Sequence, residues 1–420
     1  MFIILVLLIG LTVLRSDLKQ IAQKDRYKVW AMFAVYICAM LYYVSYINDQ
    51  SFAFGYGIPG ADMLAHYKGA EAIAKGASWS KLARIATRFE SIGLSSIGYF
   101  LYTSFISLCI FFLPIFPTGV NVYLVYVFQI FVSLDACLRF AILVSSEYKS
   151  AKAIRIFAML ALCVPYMVQA FQLMRDVYNM WVIVSLLLVV SCSRQESLFG
   201  NNADAKTGCY LKIGGLLLLS VLLRFYSVVL TIPLMFYYSD KKKQAVYAVL
   251  AEIGVLLLGT NLVNLVKNLI GLPWSITPPD LKESVNFLLF PNIINQSKYL
   301  WHWEQYFGNR IDAGGCNVPG VYYAMALWNI WVLPLAIVGI VTQWKDKKEE
   351  ILVWTGILLS VIMIYSITYD SIDTRHKFFM SLSMCYLAIL GTEKLKKRVP
   401  MLLYHMAMLC AVTVILLMGI

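Results

Sequence analysis

The chain is a succession of long apolar runs, broken by short polar segments in which Lys and Arg concentrate. Each helical crossing of a bilayer core needs ~20 apolar residues. The backbone of each crossing must satisfy its own hydrogen bonds, which leaves a helix bundle as the architecture. Only 14% of the 420 residues are charged and 60% are hydrophobic, whereas a soluble domain is nearer ~25% charged. The fold class read from this pattern is all-α: a polytopic integral membrane helix bundle. Residues 1–420 form a single transmembrane domain of about 11–13 membrane segments at ~20 residues each. Outer loops are expected at 48–95 and 271–320.

The formal net charge is +12. In a soluble chain that would raise nucleic acid as a partner. Here the cations lie between apolar runs, in the positive-inside pattern, so no nucleic-acid partner is expected. Nine cysteines are present without a CxxC or Cys/His metal spacing, so neither a disulfide framework nor structural zinc is expected. The start lacks a basic n-region and a small-residue cleavage site, so 2–14 is expected to stay as a short first span.

The charge rule places 15–28, 149–155, 194–206, 241–243, 345–350 and 393–398 in the cytoplasm. The loop 48–95 is then outside. Helical spacing runs over 62–76, and 81–89 reads as a second short amphipathic helix lying on the membrane. At 97–144 and at 211–238 the number of apolar runs does not fit the charge rule. One run of the first pair is expected to be re-entrant or broken. In the second, two half-helices meeting near Arg224-Phe225-Tyr226-Ser227 satisfy the rule. The run 156–171 is read as outward and 177–190 as inward. No fixed-period repeat is found.

Gly60-Ala61-Asp62-Met63-Leu64-Ala65-His66-Tyr67 follows an apolar run directly. Asp62 and His66 share a helix face at a spacing of four. An outer-face carboxylate can act as general base on a sugar hydroxyl, or it can hold a divalent cation with phosphate oxygens. His66 can orient that acid or donate to phosphate. The alternative is a solvated loop helix. Arg88 and Glu90 precede another apolar run, as a substrate contact or an interfacial salt bridge. Arg175 and Asp176 stand between two spans on the expected outer side, and Arg suits bidentate phosphate binding; snorkelling into the headgroup layer is the other reading. Arg224, with Tyr226 beside it, has apolar flanks too long for easy snorkelling. It binds phosphate or is held by an internal acid such as Asp135. Asp135 and Arg139, four apart, read as a self-satisfied pair. Arg375, His376 and Lys377 oppose the positive-inside rule and call for a compensating anion, most simply a lipid diphosphate. Trp301 and Trp303 stack on sugar rings or belong to an interfacial belt.

In order and spacing, these marks resemble the EpsG-type branch of the Wzy-like oligosaccharide repeat-unit polymerases of bacteria. More broadly they resemble GT-C glycosyltransferases. The resemblance rests on Gly60-Ala61-Asp62 with Tyr67, Phe89-Glu90, Arg175-Asp176, Arg224-Phe225-Tyr226-Ser227 and Arg375-His376-Lys377-Phe378. The family usually has Arg-Gln where Arg175-Asp176 stands, and many members have His at the Arg224 position. The resemblance implies a GT-C-like bundle in the bacterial inner membrane, with its active site on the extracytoplasmic face. It also implies a glycosyltransferase that joins polyprenyl-diphosphate-linked oligosaccharide units into a surface polysaccharide. Asp62, His66 and Glu90 would carry the chemistry. Arg88, Arg175, Asp176, Arg224, Tyr226, Arg375, His376, Lys377, Trp301 and Trp303 would bind substrate. Other polysaccharide-assembly membrane proteins are the implied partners. No nucleotide-binding Gly-rich loop or other cofactor motif is present, and no metal site is assigned. The competing readings are a flippase of lipid-linked oligosaccharide, a transferase adding a single sugar from a polyprenyl-phosphate donor, and a ligase or acyltransferase on the same surface.

Overall fold

Burial of an apolar helix needs partners at close range, and among the described residues the chain supplies only helices. The computed structural model describes residues 1–49, 62–78, 80–81, 94–112, 116–145, 151–199, 203–224, 227–258, 319–368, 378–395, 403–408 and 410. The described helices, numbered in chain order, are α1 (Phe2–Leu18), α2 (Arg26–Asp49), α3 (Asp62–Ala74), α4 (Leu94–Ile110), α5 (Thr118–Ser145), α6 (Ala151–Ala161) and α7 (Val164–Gln169). Then follow α8 (Asp176–Phe199), α9 (Ala203–Leu223), α10 (Val228–Tyr238), α11 (Lys242–Leu258), α12 (Pro319–Gln343), α13 (Lys348–Thr368) and α14 (Phe378–Leu395). Three stretches, Gln23–Ser45, Thr118–Ser145 and Asp176–Ser193, are long and apolar enough to cross a membrane. Ile97–Ile110, Gly208–Leu223, Val229–Tyr238 and Trp331–Gln343 are apolar but shorter.

Three of these four short apolar stretches, Ile97–Ile110, Gly208–Leu223 and Val229–Tyr238, fall at the two places where the charge rule and the number of runs disagree. α4 and α5 form an antiparallel hairpin: the Asn121 amide donates to the Ile110 carbonyl at 3.0 Å, and Phe105 meets Phe128 further along. The break expected near Arg224 falls between α9, 21 residues long, and α10, 11 residues long. The Ser227 hydroxyl donates to the Ser220 carbonyl at 3.1 Å, which folds the chain back at the break. α10 returns along α8 until Tyr237 meets Trp354, which packs on Phe140 of α5. The run 156–171 is not one helix, contrary to the sequence reading. α6 stops at Ala161, and Pro165 sits in the first turn of α7, where its missing N–H costs nothing.

α5 and α8 run side by side through the centre. Asp135 and Arg139 on α5 meet Trp181 and Ser185 on α8. Arg139 Nε donates to Asp135 at 2.8 Å and lies equally close to Asp17 at the end of α1. The local pair expected at 135–139 therefore forms, and its surplus bonding reaches two other helices. Small residues set the closest helix contacts. A Cβ on Gly391 would lie 2.9 Å from the Gly339 amide nitrogen, so α12 and α14 touch backbone to backbone, as small residues allow in membrane bundles.

Candidate functional site

The site forms where three helix ends meet. Between α7 and α8 the backbone over 170–175 is not helical, yet these residues are buried. Irregular backbone in an apolar setting needs its polar groups satisfied. Gln129 does this from α5: its amide donates to the carbonyls of Gln172 and Met174 at 3.0 and 3.1 Å. Gln129 lies eleven residues beyond Thr118, so at 1.5 Å per residue the level is about 16 Å along α5 from its start.

Arg175 closes this stretch and Asp176 opens α8, where a carboxylate also complements the helix N-terminus. Arg224 follows α9 directly. Its Nε and Nη2 donate to the two Asp176 carboxylate oxygens at 2.8 and 2.9 Å. This is the two-point fork for which arginine is suited. The side chains are 15% and 5% exposed, so the pair is largely withdrawn from water. Beneath it, the Ser220 hydroxyl donates to Asn179 Oδ1 at 3.3 Å and lies 2.7 Å from the Ser227 hydroxyl. The acid expected as an internal partner for Arg224, Asp135, is engaged by Arg139.

α4 covers the site at Gly98. A Cβ there would be 2.7 Å from the Leu222 carbonyl carbon and 3.1 Å from Arg175 Nη1. Only a residue without a side chain permits that approach. α3 lies along α4, held by the Tyr99 hydroxyl donating to the Ala65 carbonyl at 2.8 Å and the Ser107 hydroxyl donating to the Ala70 carbonyl at 2.7 Å. This seats His66 between Tyr99, stacked at 5.0 Å, and Tyr102, edge-on at 4.9 Å. His66 is buried, and its Nδ1 has no hydrogen-bond partner among the described residues. Burial drives its pKa well below the ordinary 6.5, and the positive fields of Arg175 and Arg224 add to the shift. The imidazole is therefore neutral near pH 7.

Thus His66, Arg175 with Asp176, and Arg224, far apart in the chain, come together. Asp62 opens α3, one turn before His66. Arg88, Glu90, Tyr226, Trp301, Trp303, Arg375, His376 and Lys377 lie outside the described residues. Among the described residues no group of three potential metal ligands is found. Sequence reasoning passed over Gln129, Asn179, Tyr99 and Tyr102. Gln129 and Asn179 carried a usable signal, as polar residues inside apolar runs; the tyrosines did not. Comparison with family models, curated proteins and solved structures returned no match.

Proposed function

We propose that the chain is a polytopic membrane glycosyltransferase with a GT-C-like arrangement, which polymerises polyprenyl-diphosphate-linked oligosaccharide on the outer face of a bacterial inner membrane. The observation that carries this reading is the convergence of His66, Arg175 and the Arg224–Asp176 fork on one buried level. Cationic groups collected in a dry site suit an anionic leaving group, because charge developing there is stabilised by groups already in place. Arg175 and Arg224 face the lipid diphosphate, and Asp176 fixes the plane of the Arg224 guanidinium. Asp62 takes the proton of the acceptor hydroxyl. The acceptor oxygen bonds to the anomeric carbon, and the carbon–oxygen bond to the diphosphate breaks. His66, neutral beside the arginines, accepts or donates a hydrogen bond without adding charge. Glu90, Arg88, Tyr226, Trp301, Trp303 and the Arg375-His376-Lys377 group complete the acceptor and sugar contacts.

The test is polymer length on a gel from cells carrying Asp62→Ala or Arg175→Gln, with protein level and membrane insertion measured alongside. Single-unit lipid-linked product accumulating at the outer face, at normal protein level, supports the polymerase. Intact polymer from both variants removes these residues from the chemistry and sinks the assignment. Single-unit product trapped at the cytoplasmic face replaces it with a flippase.

A further inference from the structure

We propose a second site, built from other residues than the arginine cluster: a cleft between the start of α2, α6, α12 and α14 that binds an anionic phospholipid. Its volume is about 720 Å³, inside the roughly 300–1,000 Å³ range of small-molecule sites. It depends on the chain being membrane-embedded and not on the polymerase reading.

The cleft is cationic at one end and apolar along its length. Lys24, Lys28 and Arg155 line it against one acid, Asp25. Asp25 accepts from Lys28 at 2.6 Å. Arg155 and Lys24 are exposed. Arg155, Ala158 and Met159 follow each other at helical spacing on α6, so cation and apolar wall belong to one continuous face. Across the cleft, Trp331 and Leu335 stand one turn apart on α12 and supply the facing wall. Trp328 ties α12 to α6 beside the cleft: its indole nitrogen donates to the Met159 carbonyl at 2.9 Å.

Trp331 lines the cleft, while its indole nitrogen is buried and has no hydrogen-bond partner among the described residues. An apolar trough with a cationic mouth matches a phosphodiester with an acyl chain attached. A free phosphate leaves the trough empty, and a soluble sugar leaves it mismatched. The cations belong to segments that the charge rule places in the cytoplasm. The lipid therefore comes from the cytoplasmic leaflet, which carries anionic headgroups and attracts basic residues.

The experiment is native mass spectrometry of the full-length chain in detergent, with added phosphatidylglycerol or phosphatidylcholine. Thermal unfolding with inorganic phosphate runs in parallel. The expected result is retention of phosphatidylglycerol over phosphatidylcholine. Lys24→Gln with Arg155→Gln weakens that retention roughly fivefold per cation removed. Ala158→Trp keeps every charge, fills the trough and abolishes retention. If Ala158→Trp fails to fold, the Gln variants decide alone, since both replaced side chains are exposed. Equal retention of the two lipids overturns the proposal. So does phosphatidylglycerol retention untouched by the Gln variants, or inorganic phosphate protecting the fold at the same concentration as the lipid.

Discussion

Asp176 and Arg224, 48 positions apart in the chain, are joined by two parallel hydrogen bonds of 2.8 and 2.9 Å. The pair ties the first turn of α8 to the end of α9, at the point where the chain turns back into α10. It is a positional device as much as an electrostatic one. Removing one partner strands a charge in a buried place, which costs about 3–5 kcal/mol. Asp176→Asn is therefore expected to destabilise the fold by about that amount, and Asp176→Asn with Arg224→Gln by less than either single change. A double-mutant cycle on unfolding in detergent measures the coupling. Additive effects would show that the fork contributes nothing of its own.

His66 gives the fold an acid-side weakness. Its folded pKa lies well below 6.5. As pH falls through the ordinary range, the unfolded chain takes up a proton that the folded chain refuses. The stabilisation is complete above about pH 6.5 and is lost as pH falls, at up to about 1.4 kcal/mol per unit. His66→Gln is expected to flatten that slope between pH 7 and pH 5 in thermal unfolding. Arg175→Gln removes one of the positive fields and is expected to move the His66 titration upward, as read by imidazole NMR.

Gly98 and Gly214 make opposite predictions from the same residue type. A Cβ at Gly98 meets the Leu222 carbonyl and Arg175, and at Gly214 it meets nothing within 4 Å. Gly98→Ala is expected to cost about 1–3 kcal/mol by overpacking and, under the proposed polymerase function, to shorten the polymer by displacing Arg175. Gly214→Ala, in the interior of α9, is expected to gain about 0.5–1 kcal/mol from backbone entropy and, under the same proposed function, to leave polymer length unchanged. Unfolding midpoints and gels on the two variants check both.

Arg139 holds together α1, α5 and α8. It donates to Asp135 and to Ser185, lies 2.8 Å from Asp17, and sits over the Trp181 ring at 4.7 Å. Arg139→Met leaves two carboxylates facing each other, at an expected cost of about 3–5 kcal/mol. Adding Asp17→Asn to that variant is expected to recover part of the loss. Unfolding curves of the single and double variants decide, and no recovery would show that Asp17 is not part of the cluster.

Local features were legible in the sequence. The apolar runs, the start of α3 at Asp62, the break near Arg224 and the Asp135–Arg139 pair all depend on residues a few positions apart. A charge flanked by apolar runs, or a carboxylate one turn from a guanidinium, identifies itself in one dimension. The partner of Arg224 did not, because Asp176 is 48 positions away and only packing brings the two together. The seat of His66 between Tyr99 and Tyr102 and the approach of Gly98 to Leu222 were also out of reach. In a membrane chain the faces that pack together and the faces that meet lipid are both apolar, so periodicity does not say which face turns inward. That choice, and with it the gathering of His66, Arg175, Asp176 and Arg224 into one place, belongs to the tertiary structure.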